Sequence, residues 1–311
     1  MAARRASSLP LRMERAVTAL ERAMAAVGAG PGPGEVHALR VALKRVRSLI
    51  RLARRTPGCR TRKRLRRRLD RLFKVAGRVR DRQVLLELLA TEAPTGGTAA
   101  RARKRLADGA PQADERLLRT VQRQGHLVDE LRKALVPGLG RLSPAAWRQA
   151  LSKAINDDLC DAAEHLHRDE AADALHTVRK RIKHAVHALD LWPDRPLPRA
   201  LASLRRRCRS AQQLLGTRQD LVLLRELLGG RAKDRNTDAV LAERMAARLQ
   251  WMDRRVRIEL NALLPEGADH FVPSTRSSSA FRPKRKTASA GRVAAGRSTV
   301  TVKPASRRRS M

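Results

Sequence analysis

The sequence predicts an all-α fold, an internally duplicated pair of antiparallel helical bundles, from three observations. Apolar residues recur at three- and four-residue intervals along most of the chain. Strand-type runs of β-branched and aromatic residues are missing, and with three Phe, three Trp and no Tyr the core must be built from Leu, Val and Ala, which suits closely packed helices. Finally, one segment occurs twice. In VHALRVALKRVRSLIRL, from Val36 to Leu52, an apolar stripe runs through Val36, Leu39, Leu43, Val46 and Ile50 to Ala53. In LHTVRKRIKHAVHALDLW, Leu175, Val178, Ile182, Ala185, Leu189 and Trp192 repeat it. The match continues at one constant offset. Pro57 aligns with Pro196, Arg60 with Arg199, and Arg66, Arg67 and Arg68 with Arg205, Arg206 and Arg207. Gly77 aligns with Gly216, Asp81 with Asp220, and Glu87, Leu88 and Leu89 with Glu226, Leu227 and Leu228. A register held over roughly fifty residues indicates duplication rather than chance.

Beside the first apolar stripe lies a second one. His37, Arg40, Lys44, Arg47 and Arg51 recur at the same intervals, so at about 100° per residue they fall within roughly 80° of arc. His176, Arg179 and Lys183 occupy the equivalent places in the second copy. A random basic helix would scatter its charge; these two line it up along one edge of the buried face.

In chain order, residues 1–8 are a short basic lead. Leu11 to Val27 reads as an amphipathic helix that stops at the linker Gly28 to Gly34; its counterpart is Ala150 to Leu166. The ladder helices start after Gly34 and after Asp173, both suitable N-caps, and Pro57 and Pro196 close them. A third helix spans Arg60 to Ala76, with Leu65, Leu69, Leu72 and Ala76 inward, matched by Arg199 to Leu215. Gly77 and Gly216 are then expected to break the chain before a short helix, with Asp81 and Asp220 in its first turn, where a carboxylate suits the positive helix end. Each half closes with a longer helical segment, Ala99 to Leu135, interrupted if anywhere at Gly109 to Pro111, and Asp238 to Leu264. The folded region is thus 9–265, in halves 9–136 and 144–265. Residues 266–311 are rich in Ser, Ala, Gly, Pro and Arg without apolar period and are expected to be disordered.

The 68 Lys and Arg against 30 Asp and Glu give a net charge of +38 and a pI near 11.8, well beyond what solubility requires, so a polyanionic partner is expected. From residue 273 the tail carries eleven Lys or Arg and no acid, so most of the charge belongs to the chain before it. Cys59, Cys160 and Cys208 are odd in number and unpaired in spacing, which favours a reducing cytoplasm. No stretch approaches the roughly 18 apolar residues of a membrane span. The basic start is compatible with a transit peptide, but from Leu11 onward it already reads as a helix of the repeat.

The pattern H-x-x-R-x-x-x-K-R, followed by a leucine-rich G-x-x-R-D segment and duplicated in an all-helical chain, resembles the CHAD family, the conserved histidine α-helical domain. The first copy fits closely through His37, Arg40, Lys44, Arg45, Gly77, Arg80 and Asp81. The second keeps His176, Arg179, Lys183, Gly216 and Asp220, but has His184 and Gln219 where the first has Arg45 and Arg80. The resemblance covers about residues 9–265. It implies a pair of helical bundles related by pseudo-two-fold symmetry, non-enzymatic binding of inorganic polyphosphate, and localisation to polyphosphate granules.

The residues suit that expectation. Polyphosphate has no bases to stack, so its binder needs closely spaced cationic donors, with Arg offering forked hydrogen bonds and Lys a mobile charge. The candidate binding residues are His37, Arg40, Lys44, Arg45, Arg47, Arg51, Arg67, His176, Arg179, Lys183 and Arg206. The bland alternative for the ladder is a solvated helix face, and for each histidine a structural hydrogen bond. Non-specific nucleic-acid binding, with the basic tail contributing, is the alternative function. The scarcity of aromatic residues and the lack of a recognition-helix motif count against it. His165, His167, His184 and His187 with Asp157, Asp158 and Asp161 are a weak metal constellation in a field that repels cations. No cofactor, membrane partner or catalytic role is expected. Asp81 and Asp220 serve to cap a helix or orient the adjacent arginines.

Overall fold

Leucine and alanine at helical spacing give helices throughout. The computed structural model describes residues 9–54, 63–93, 97–139, 142–168, 172–193, 196–229, 239–268 and 270–272. Among these there are ten α-helices and no strand: α1 (Leu9–Ala29), α2 (Pro33–Arg54), α3 (Lys63–Glu92), α4 (Gly97–Asp108), α5 (Ala110–Gln122), α6 (Leu127–Leu139), α7 (Pro144–Arg168), α8 (Ala172–Asp190), α9 (Arg199–Gly229) and α10 (Ala239–Leu263). The expected helices at 11–27, 36–52, 150–166, 175–192 and 238–264 are α1, α2, α7, α8 and α10.

In the N-terminal part, α1 packs on α2 and α2 on α3, with α5 and α6 closing the other side. In the C-terminal part, α7 packs on α8, α8 on α9 and α9 on α10. The two sets meet along α2 with α8 and α3 with α9, and one continuous core runs through both. The apolar stripes face inward as their spacing requires: Val36, Leu39, Leu43, Val46, Ile50 and Ala53 are buried, as are Leu175, Val178, Ile182, Ala185, Leu189 and Trp192.

Three expectations need correction. The break at Gly77 and Gly216 does not occur, because α3 and α9 run straight through. Gly77 is buried inside α3, and a Cβ there would lie 2.7 Å from Nη1 of Arg40. This glycine admits a guanidinium rather than ending a helix. Asp81 and Asp220 therefore sit within long helices and not in a first turn. Second, the segment 99–135 is divided among α4, α5 and α6. The break at Gly109 falls where Pro111 opens α5, and a further turn follows at 123–126, held by Gln124 N to Val121 O at 2.9 Å and Leu127 N to Gln124 O at 2.8 Å. Third, ordered packing continues past 265. The side-chain oxygen of Asn156 accepts from the backbone N–H of Phe271 at 3.0 Å and of Val272 at 2.9 Å, and Val272 is buried in the core. A two-residue apolar anchor is too short to show a period, so residues 266–272 read as tail in the sequence. The lead 1–8, the tail from 273, and Pro57, Cys59 and Arg60 lie outside the described residues. No helix among the described residues is long and apolar enough to cross a membrane.

Candidate functional site

The cationic stripes of α2 and α8 turn toward each other beside α3. Arg40 and Lys44 from α2 meet Arg179 and Lys183 from α8 closely enough that repulsion, beneath burial, helps lower Arg40, Lys44 and Lys183, and Arg80 from α3 adds to the same field at Arg40 and Lys44. An aromatic ring holds the group together. The Phe73 ring of α3 has the guanidinium carbon of Arg47 4.3 Å from its centroid, that of Arg40 at 5.0 Å, and Nζ of Lys183 at 5.7 Å. A π-face of this kind attracts each cation and leaves their N–H groups unspent.

Carboxylates answer only part of this charge. Arg47 bonds Asp70 at 2.9 Å, and Arg40 reaches Asp81 at 4.0 Å. Among the described residues no carboxylate pairs with Lys44 or Lys183. Burial, then repulsion from the neighbouring cations, lowers both ammonium groups, and Lys183 falls to about 7. Asp81 and Asp220 are shifted up, because burial outweighs the pull of Arg40 and Arg179.

A cavity of about 260 Å³ opens at one end of this cleft, lined by Lys44, Arg47, Arg51, Arg66, Lys183 and His187 among others. Its wall is braced by Asp158 of α7, which is fully buried. Asp158 takes Arg181 at 3.3 Å and stands 3.8 Å from Arg51 and 3.7 Å from Nδ1 of His184. Arg51 in turn donates to Nε2 of His184 at 2.6 Å. Both histidines are held neutral: burial lowers His184, and burial with Lys183 and Lys44 nearby pulls His187 down to about 3.

Of the residues singled out in the sequence, Arg40, Lys44, Arg47, Arg51, Arg179 and Lys183 come together here. The others do not. His37 and Arg45 line a separate groove between α1 and α2. Arg67 and Arg206 are exposed on the outer sides of α3 and α9; Arg66, one step round the helix, faces the cavity instead. His176 donates from Nδ1 to the Gln219 amide oxygen at 3.3 Å. Its counterpart His37 is exposed, and the residue aligned with Gln219 is Arg80, which cannot accept a hydrogen bond. Among the described residues no three His, Cys, Asp or Glu side chains gather as metal ligands. His167 bonds the Leu264 carbonyl at 2.9 Å, and Arg181 joins Asp161, at 2.8 Å, to Asp158. The sequence reading did not place Phe73, Arg66 or Asp70 at the site, and weighed Asp158 and His187 only as metal ligands. A lone Phe among arginines, one turn before Gly77, was the available signal for the first.

The two sets of helices thus face a shared cleft in which Lys44 and Lys183 have no carboxylate partner among the described residues. The chain belongs to the CHAD domain family, whose model matches residues 12–229. It is similar in fold to the crystal structure of the CHAD domain from the plant Ricinus communis, at 20% identity and a TM-score of 0.65, over 83% of this chain and 91% of that one. No curated protein matches the sequence.

Proposed function

We propose that this protein binds inorganic polyphosphate, without catalysis, in the cleft between α2 and α8, and that it does so in the cytoplasm at polyphosphate granules. The observation that carries the reading is the convergence of Lys44 and Lys183 with Arg40 and Arg179, with too few carboxylates to balance them. Such a cleft is poised to gain on meeting a flexible polyanion, since each phosphate relieves repulsion already present in the free protein. Membership in the CHAD family supports the same ligand. The aligned pairs Arg40 and Arg179, Lys44 and Lys183, Gly77 and Gly216, and Asp81 and Asp220 all border this surface. We infer from this that the two sets of helices are copies of one unit about a pseudo-two-fold axis.

Replacing Arg40, Lys44 and Arg47 together by Glu abolishes polyphosphate binding in a titration at fixed salt, with helical content retained. The same charge reversal at the outward Arg67 and Arg206 costs far less. Equal losses from the two sets would remove the cleft from consideration. Competition with duplex DNA at matched phosphate and ionic strength separates the ligand classes: polyphosphate displaces DNA far better than the reverse, and the opposite order transfers the function to nucleic acid.

A further inference from the structure

The cavity brings a lysine amine and several guanidinium groups to one ring. Arg47 and Arg40 stack on Phe73 from α2, and Lys183 reaches the same ring from α8. Lys44, Arg51 and Arg66 line the space in front of them. At about 260 Å³ it is below the roughly 300–1,000 Å³ of pockets for drug-sized ligands, so it admits a small molecule. Apart from Lys44, the other described lysines, including Lys153 on α7 and Lys180 on α8, stand exposed.

We propose that Lys183 is a site of acylation by small anionic acyl donors, acyl phosphates in particular, whose phosphate is seated by the surrounding guanidinium groups. The proposal rests on the reading of the cleft as a phosphate seat and adds a covalent outcome to it. With the phosphate on Arg47 and Arg66, the acyl carbonyl is presented to Nζ of Lys183. The nitrogen lone pair attacks the carbonyl carbon, and a C–N bond forms. The bond from that carbon to the bridging phosphate oxygen breaks, inorganic phosphate leaves with the electron pair, and the proton lost by nitrogen passes to phosphate or water. The other charged groups around the amine are Arg40, Lys44 and Arg51 on α2, Arg179 on α8, Asp70 and Asp81 on α3 and Asp158 on α7, with neutral His184 and His187 beside it. The aspartates and the Phe73 ring favour the ammonium form, and burial and the cations outweigh them. Burial and these cations bring Lys183 to about 7, so at neutral pH much of it is free amine, against about a thousandth of an ordinary lysine. The product amide carries no charge, so acylation would remove a cation from the polyphosphate cleft and lower its affinity.

The test treats the full chain at pH 7.5 with acetyl phosphate or with acetic anhydride, which has no phosphate to seat, and follows acetylation of each lysine by mass spectrometry. Acetyl phosphate should label Lys183 at least about tenfold faster than Lys180, because more amine is available and the donor is held. Tripolyphosphate should suppress that preference, as should Arg47→Gln once circular dichroism shows it folded. The anhydride should show a smaller preference that falls less than the acetyl phosphate preference in Arg47→Gln, which removes one of the cations that lower Lys183 but no seat for this donor. Equal labelling of Lys183 and Lys180 by acetyl phosphate overturns the proposal, as does a preference equally large with the anhydride. A parallel polyphosphate titration separates the two readings. Polyphosphate binding without selective labelling sinks this proposal alone, and selective labelling without polyphosphate binding sinks only the proposed ligand.

Discussion

Gly77 and Gly216 occupy aligned places in α3 and α9, yet the structure gives them different duties, and a pair of alanine substitutions measures the difference. Alanine is favoured over glycine inside a helix by about 0.5–1 kcal/mol. At Gly216 a new Cβ would lie 3.9 Å from Nη2 of Arg179, an ordinary contact, so Gly216→Ala should raise stability by about that amount. For a folded region of this size the gain is a Tm increase of about 2–4 °C per kcal/mol. At Gly77 the new Cβ would lie 2.7 Å from Nη1 of Arg40, and the guanidinium must move. Moving it surrenders the stacking on Phe73, about 0.5–1 kcal/mol, and the contact with Asp81, about 0–1 kcal/mol at this exposure. The helix gain is cancelled, so Gly77→Ala should leave Tm nearly unchanged or slightly lowered. The larger effect falls on ligand. One arginine displaced from the cleft removes about one charge-assisted hydrogen bond, so polyphosphate affinity should fall roughly tenfold in Gly77→Ala and stay within about twofold in Gly216→Ala. Thermal unfolding by circular dichroism and a titration at fixed salt supply both numbers. If the two variants gain stability equally and bind equally, Gly77 is not a slot for Arg40.

Two protonation effects follow from the same cleft. Lys183 is partly neutral above pH 7 in the free protein, and a bound polyanion favours its charged form, so binding at pH 8 takes up protons. Calorimetry in buffers of different ionisation enthalpy should show this uptake, affinity should weaken as pH rises above about 7, and Lys183→Arg should reduce both effects. His187 is pulled down to about 3 by burial, so its contribution to stability is intact above its unfolded value near 6.5 and is lost as pH falls from there toward 3. Asp81 and Asp220 are shifted up and act in the opposite sense, so the measurement is the difference from His187→Asn, whose denaturation midpoint should depend less steeply on pH over that window.

Periodicity made the helices legible, because an inward stripe such as Val36, Leu39, Leu43, Val46 and Ile50 has only one efficient way to be buried. It also located the ladder, since residues on one edge of a buried face must meet whatever packs there. It could not say how far along the ladder the meeting extends. Arg40 through Arg51 reach α8, whereas His37 and Arg45 turn to α1, a matter of helix crossing that no local pattern records. The glycines were misread for a related reason. A glycine that ends a helix and one that admits a neighbour look alike until the neighbour is known, and here the neighbour, Arg40, lies a whole helix earlier.

The departures between aligned positions explain why the cleft is one-sided. Phe73 aligns with Gln212, Ser48 with His187, Arg45 with His184 and Arg51 with Asp190. Of the ladder cations only Arg40 and Lys44 recur, as Arg179 and Lys183, and by themselves these four would make a symmetrical groove. The stacking ring comes from the N-terminal set of helices and the two neutral imidazoles from the C-terminal set, and they meet at the same end, around Lys183. There Arg51, Asp158 and His184 tie α2, α7 and α8 into one wall. A polyanion lying along the cleft would meet matched cations through Arg40, Lys44 and Arg179 and then a walled cavity at one end only. The matched residues therefore account for the middle of the cationic track, and the unmatched ones for the pocket that closes it.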